Sequence, residues 1–238
     1  MLKKPEDLRA QVGNALKFFE EIGAEFVVKR KTAGPVPAAA APLEGTVQPS
    51  PARDALGAAC AEVLVCQKCP LARLRAKAVP GEGGLESGLM FVGEAPGADE
   101  NIQGRPFVGR AGQLLTKIIK AMHFDRSEVY ITNVVKCQPP GNRTPLSSEI
   151  DVCSPYLLRQ IEAIQPAVIV ALGSVAAGFF IPGNIKISGL RGTFFDFGRV
   201  KVMPTFHPSY LVRNEGNRQI KQAVWDDMQK VMALLGKK

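Results

Sequence analysis

The stretch M-F-V-G-E-A-P-G-A-D-E-N-I-Q-G-R-P-F-V-G-R-A-G-Q, residues 90–113, decides how the rest of the chain is read. The apolar run just before and into it, Leu89 to Val92, has the character of a buried strand that ends at Gly93. The turn-formers Pro96, Gly97, Gly104 and Pro106 follow, with acids at Glu94, Asp99 and Glu100. Helical periodicity resumes only after Gly109, through Leu114, Leu115, Ile118 and Ile119. A strand that empties into a rigid loop at a helix N-terminus is where open α/β proteins place their ligands. The plain alternative is an ordinary connection with a few surface acids. Most such connections are about 2–6 residues long. This one is longer and sets Phe107 among turn-formers, which favours a binding loop.

Working outward, a chain of 238 residues suits one domain of ordinary core size plus a tail. Its 46% hydrophobic content is that of a globular protein, and no apolar run reaches the ~18 residues needed to cross a bilayer. Residues 1–10 are charged and lack the apolar core of a secretory signal, so a cytoplasmic protein is expected. A net charge of +8 and a pI near 9.4 favour a polyanionic partner such as nucleic acid. Plain solvation explains many basic proteins equally well. Five cysteines in such a chain argue for a metal or redox site rather than a disulfide framework.

Residues 5–31 carry helical spacing in Leu8, Val12, Leu16, Phe19, Ile22 and Phe26. From Thr32 to Ala52 the chain turns rich in Ala and Pro and loses any core pattern, as a tether does. The expected organisation is an N-terminal helical appendage over 1–31, a linker over 32–53 and a main domain over 54–238. The appendage is either a docking element for a partner protein or a loosely held helix without chemistry; the second is the plainer reading. In the main domain, strands are expected at 89–93, 128–135, 167–172 and 199–205. Helices are expected near 54–65, 110–122, 147–164, 174–180 and 217–235. That alternation predicts an α/β fold, a three-layer α/β/α sandwich around a central, largely parallel four-stranded sheet.

Cys66 and Cys69 form a C-x2-C pair, and Cys137 and Cys153 follow at element boundaries, the latter where Pro155 is expected to break or kink a helix. Cys60 falls on the preceding helix and looks like a small core residue. Four thiolates suit Zn2+ or an iron–sulfur cluster, and spacing does not separate the two. Scattered buried thiols are the plain alternative. The strand V-Y-I-T-N-V-V breaks its β-branched run with Asn133, whose amide offers an acceptor and a donor together. Capping a neighbouring loop is its ordinary alternative. The last expected strand ends at His207-Pro208, a better place for chemistry than His123 near a helix C-terminus.

These segments together, G-E-A-P-G-A-D-E…G-R-P-F-V-G-R-A-G-Q-L-L, Y-I-T-N-V-V-K-C, P-P-G-N-R-T-P and H-P-S-Y-L-V-R, closely resemble the type-4 uracil-DNA glycosylases over roughly residues 54–235. The resemblance implies an α/β/α glycosylase fold and a [4Fe–4S] cluster on Cys66, Cys69, Cys137 and Cys153. It implies a uracil pocket of Gly93, Glu94, Ala95, Phe107, Asn133 and His207. Relative to type-1 enzymes, Ala95 stands in place of the water-activating aspartate and Gly97 in place of a thymine-excluding tyrosine, both normal for type 4. A related uracil-trapping family has a histidine-containing insertion after this loop. None follows Arg110, so hydrolysis rather than covalent trapping is implied.

The expected activity is therefore removal of flipped-out uracil from single- or double-stranded DNA by a monomer in base excision repair. Phe107 would stack on the base, Asn133 would pair with its edge, and His207 would meet the charge that develops on uracil O2. Glu94, with Glu100 second, would position water. Leu211 and Val212 are candidate wedges for the vacated stack, and Arg213 and Arg143 candidate DNA contacts. The rival class is a non-catalytic iron–sulfur DNA-binding or damage-sensing module of the same fold.

Overall fold

The computed structural model describes residues 51–181, 183 and 186–237. The N-terminal helix and almost all of the tether expected from sequence lie outside the described residues. The first described helix, α1 (Pro51–Val65), opens three residues before the expected domain boundary at 54. Proline suits a first helical turn, where its missing N–H has no partner to lose.

Among the described residues, β1 (Glu82–Gly83), β2 (Leu89–Gly93), β3 (Tyr130–Asn133), β4 (Val168–Leu172), β5 (Phe195–Phe197) and β6 (Val200–Thr205) form one sheet in the order β1-β3-β2-β4-β6-β5. The four expected strands are the parallel centre. The sheet is wider than expected because an antiparallel strand closes each edge, β1 on β3 and β5 on β6. β2 and β4 are buried along their whole length, as continuous apolar runs in parallel sheets are.

Side chains alternate across the sheet and feed two cores. Leu89, Phe91, Val168, Val170 and Met203 pack with α4 (Arg110–Ala121) and α9 (Arg218–Leu234). Leu115, Ile118, Ile119 and Met122 recur at helical spacing on that side. Met90, Val92, Ile169, Ala171 and Val202 pack with α1, α5 (Ser147–Ile164) and α6 (Ser174–Phe180). Helices thus cover both faces. The expected boundaries of α5 and α6 match the structure.

Three local features differ from the sequence reading. The 94–109 loop contains a short helix, α3 (Ala98–Gln103), after another at α2 (Leu71–Leu74). Pro155 neither breaks nor ends α5; the Asp151 carbonyl that a residue-155 N–H would have met accepts instead from the Ser154 hydroxyl at 3.3 Å. The stretch after β4 includes α7 (Ile187–Leu190), and His207 caps α8 (Pro208–Arg213). Because the central strands run parallel, Gly93, Asn133, Leu172 and Thr205 all end at one edge of the sheet.

Candidate active site and four-cysteine cavity

Gly93 and Asn133 are register partners at the ends of β2 and β3. A Cβ on Gly93 would lie 2.4 Å from Asn133 Oδ1 and 2.5 Å from Phe107 Cζ, so only glycine admits both groups. Phe107 itself takes a left-handed backbone, φ 50°, unusual for a bulky residue. Helix α4 yields to it at Gly112, where a Cβ would fall 1.9 Å from the Phe107 carbonyl. The strain is held from both sides. Arg126 donates to the Pro106 carbonyl, and Glu100 accepts from the N–H groups of Val108 and Gly109 at 2.8 and 3.0 Å. Backbone strain fixed this firmly is typical of a ligand clamp.

Phe107 is buried, and its ring centroid lies 5.7 Å from that of His207, tilted 33°. Beside them Asn133 is 1% exposed. Its Oδ1 is the one buried side-chain polar atom among the described residues that has no hydrogen-bond partner. A buried acceptor left so is destabilising by about 1–3 kcal/mol, which a ligand donor would recover.

His207 Nδ1 accepts the Ser209 N–H at 3.1 Å and sits 2.8 Å from Ser209 Oγ. Since Nδ1 accepts a backbone proton, the neutral ring carries its own proton on Nε2. Burial, and then the charge of Arg213, push the imidazole down to about 4, against a smaller opposing effect of Glu100. Near neutral pH this ring is an uncharged donor. Gly173, φ 88°, backs it, with a virtual Cβ 3.0 Å from His207 Cβ.

Glu94 is half-buried, and burial raises its carboxyl above the ordinary range. Ala95 beside it packs on the second core. The structure gives Glu100 a different task from the expected one. Its oxygens accept from Gly97, Val108 and Gly109, so it clamps the loop. Arg143 likewise holds Glu149 at 2.9 and 2.7 Å and anchors the start of α5. Leu211 is 4% exposed and packs in the first core. Val212 is half-buried beside a cavity of about 170 Å³ that also touches Trp225. Arg213 is exposed and reaches Ser209 Oγ at 3.3 Å.

Cys66, Cys69, Cys137 and Cys153 line one cavity between α1, α2, the end of β3 and α5. Arg75 donates to Cys137 Sγ at 3.1 Å, and the Lys136 N–H to Cys153 Sγ at 3.3 Å. Burial raises both thiols, Cys153 to about 11, against those donors. Among the described residues no three His, Cys, Asp or Glu side chains are gathered closely enough to hold a metal ion. Cys60 lies apart from the cavity, 3.6 Å from Tyr130 Oη.

Lys136 is the residue that sequence reading missed. It lies just past the end of β3 and is 1% exposed, and burial lowers its ammonium to about 8. Nothing in its apolar neighbours distinguishes an inward lysine from an outward one.

The family profile described as the Uracil DNA glycosylase superfamily matches residues 80–229. The chain is 49% identical over 174 residues to the type-4 uracil-DNA glycosylase of Thermotoga maritima, covering 72% of this chain and 90% of that one. It is 44% identical over 186 residues to the Saccharolobus solfataricus type-4 uracil-DNA glycosylase, covering 74% and 85%. The Archaeoglobus fulgidus type-4 uracil-DNA glycosylase is 42% identical over 185 residues, covering 74% and 92%. The chain thus belongs to the Uracil DNA glycosylase superfamily and, within it, to the type-4 uracil-DNA glycosylases.

Proposed function

We infer that this chain hydrolyses the N-glycosidic bond of uracil in DNA and leaves an abasic site. The observation that carries the reading is the unpartnered, buried Oδ1 of Asn133 beside the Phe107 ring and the neutral His207. Incubation with a single-uracil oligonucleotide, followed by alkaline cleavage, should give one cut at the uracil. An uncut strand from protein that still binds DNA would leave only the non-catalytic module.

The base must leave the stack to reach so buried a site. Phe107 supplies the ring face on which uracil lies. Asn133 accepts from N3–H through Oδ1 and donates to O4 through Nδ2, a pairing that cytosine reverses. As the C–N bond breaks, the sugar becomes oxocarbenium-like and negative charge gathers on uracil O2. His207 Nε2–H and the loop amides after Gly93 stabilise that charge. Val212 and Arg213 on α8 are the DNA-facing candidates that geometry leaves available.

Glu94 is the water-positioning group in this reading, since Glu100 is engaged by the loop. It works as the carboxylate, and its raised pKa sets the acid limb. The single-turnover rate should rise with pH as Glu94 ionises above the usual carboxylate range, with His207 already neutral. Glu94→Gln should slow excision by about 10²-fold or more and abolish that limb. An acid limb unchanged in the variant would remove Glu94 from the role.

The four-cysteine cavity fits a [4Fe–4S] cluster. Four thiols line it, and two N–H donors reach sulfur there. Bound there, the cluster would cross-link α1, α2, the chain after β3 and α5, a structural rather than a redox contribution. The purified protein should be brown, with absorbance near ~400 nm. Cys137→Ser should bleach it and lower the melting temperature, while Cys60→Ser leaves both unchanged. Colourless wild type holding zinc without sulfide would overturn the cluster.

Every residue assigned to this pocket lies between Gly93 and His207. We propose that 1–31 is a separate appendage on a linker. Deleting residues 1–50 should leave uracil excision within about threefold of the full chain. Loss of activity in a still-folded truncation would place the appendage in the site.

A further inference from the structure

Lys136 Nζ lies 2.6 Å from Thr132 Oγ1, 2.7 Å from the Asn133 carbonyl and 2.7 Å from Gln160 Oε1. All three must accept. Thr132 gives its own proton to the Pro80 carbonyl at 2.8 Å, and Gln160 Nε2 donates to that carbonyl at 2.8 Å and lies 3.2 Å from Tyr130 Oη, which turns its Oε1 toward the lysine. Three acceptors around one nitrogen require the charged ammonium, because a neutral amine donates only two protons.

This buried cation therefore has only neutral hydrogen-bond partners. None of the ion pairs among the described residues includes it. An isolated charge in a protein interior is strongly destabilising unless an opposite charge lies near. Two neighbouring features can supply one, the Cys60 thiol, 3.6 Å from Gln160 Nε2, and the cavity of four thiols, which Lys136 itself helps to line. Its main-chain N–H touches Cys153, and the next residue is Cys137.

We propose that Lys136 is the internal counter-cation of a negatively charged group held by Cys66, Cys69, Cys137 and Cys153, and a positioning residue that ties that group to the uracil-reading end of β3. The inference rests on the cluster reading above: four thiolates outweigh the charge of the metal core they hold. Arg75 does the same from the half-buried rim, where water also screens it. Lys136 is buried beside that cavity, where screening by water is weakest. Its bond to the Asn133 carbonyl gives the cavity a direct link to the recognition amide.

The test uses the full chain purified without oxygen. Iron and sulfide are counted, and the loss of the ~400 nm band under ferricyanide is timed beside melting curves. With the positive charge gone, an electron leaves the cluster more easily, so Lys136→Met should bleach about tenfold faster than wild type while staying folded. If that variant does not fold, Gln160→Glu replaces it. A carboxylate there satisfies the lysine locally, competes with the cavity for its charge and should accelerate bleaching in the same direction. Equal bleaching rates in a folded variant and in iron-bearing wild type overturn the role of Lys136 alone. Wild type without iron and sulfide overturns the cluster reading and this inference with it.

Discussion

Asn133→Asp is expected to lower uracil excision by about ten- to a hundredfold and to raise the cytosine-to-uracil ratio. The change keeps an acceptor but removes the amide donor that the proposed pairing assigns to uracil O4. It sets a carboxylate against that carbonyl in a pocket where the side chain is 1% exposed. Cytosine presents N4–H2 at the same place, so the carboxylate, or its protonated form, can pair with the cytosine edge. The side chain has the freedom this requires, since Oδ1 has no partner elsewhere in the described structure. Were Asn133 only a loop cap, both activities would move with stability and their ratio would stay fixed. Matched single-turnover rates on uracil and cytosine oligonucleotides, beside melting curves, separate the two. An unchanged ratio in a folded variant would remove Asn133 from recognition.

The parallel centre of the sheet was legible because buried strands read as continuous apolar runs, and Leu89 to Val92 and Val168 to Leu172 are such runs. The edge strands were not equally hidden. Phe195-Asp196-Phe197 alternates as an edge strand should, whereas Glu82-Gly83 is too short to show a period. Pockets were harder still. The turn-formers marked the binding loop, but nothing local says that Phe107 has φ 50° or that Gly112 exists to let its carbonyl approach. Charged residues gave the least. Glu100, Arg143 and Lys136 look alike in sequence as polar residues of loops, and each proves to hold backbone or a buried partner. A charge near a site serves substrate or scaffold according to what lies within 3 Å of it, which no periodicity encodes.

Removing the imidazole of His207 should be the most damaging single change at the reacting centre. His207→Ala deletes the Nε2–H donor that the proposed mechanism assigns to uracil O2, and the loss of one such donor lowers the rate by about 10²–10³-fold. The pH dependence is the sharper signature. Burial and Arg213 push the ring to about 4, so it is neutral, with its proton on Nε2, throughout the neutral range. Its donor capacity does not change there, and the ratio of wild-type to variant rates should be flat from about pH 6 to 9. An imidazolium acting as an acid predicts the opposite, a wild-type advantage that shrinks as pH rises through an ordinary histidine value. Ser209→Ala provides the control for orientation. It removes the hydroxyl 2.8 Å from Nδ1 but keeps the main-chain N–H at 3.1 Å, so the tautomer survives and the rate should fall by only a few-fold. A His207→Ala enzyme that keeps more than about a tenth of the wild-type rate, with the same melting temperature, would move the charge-stabilising role from the imidazole to the loop amides that follow Gly93.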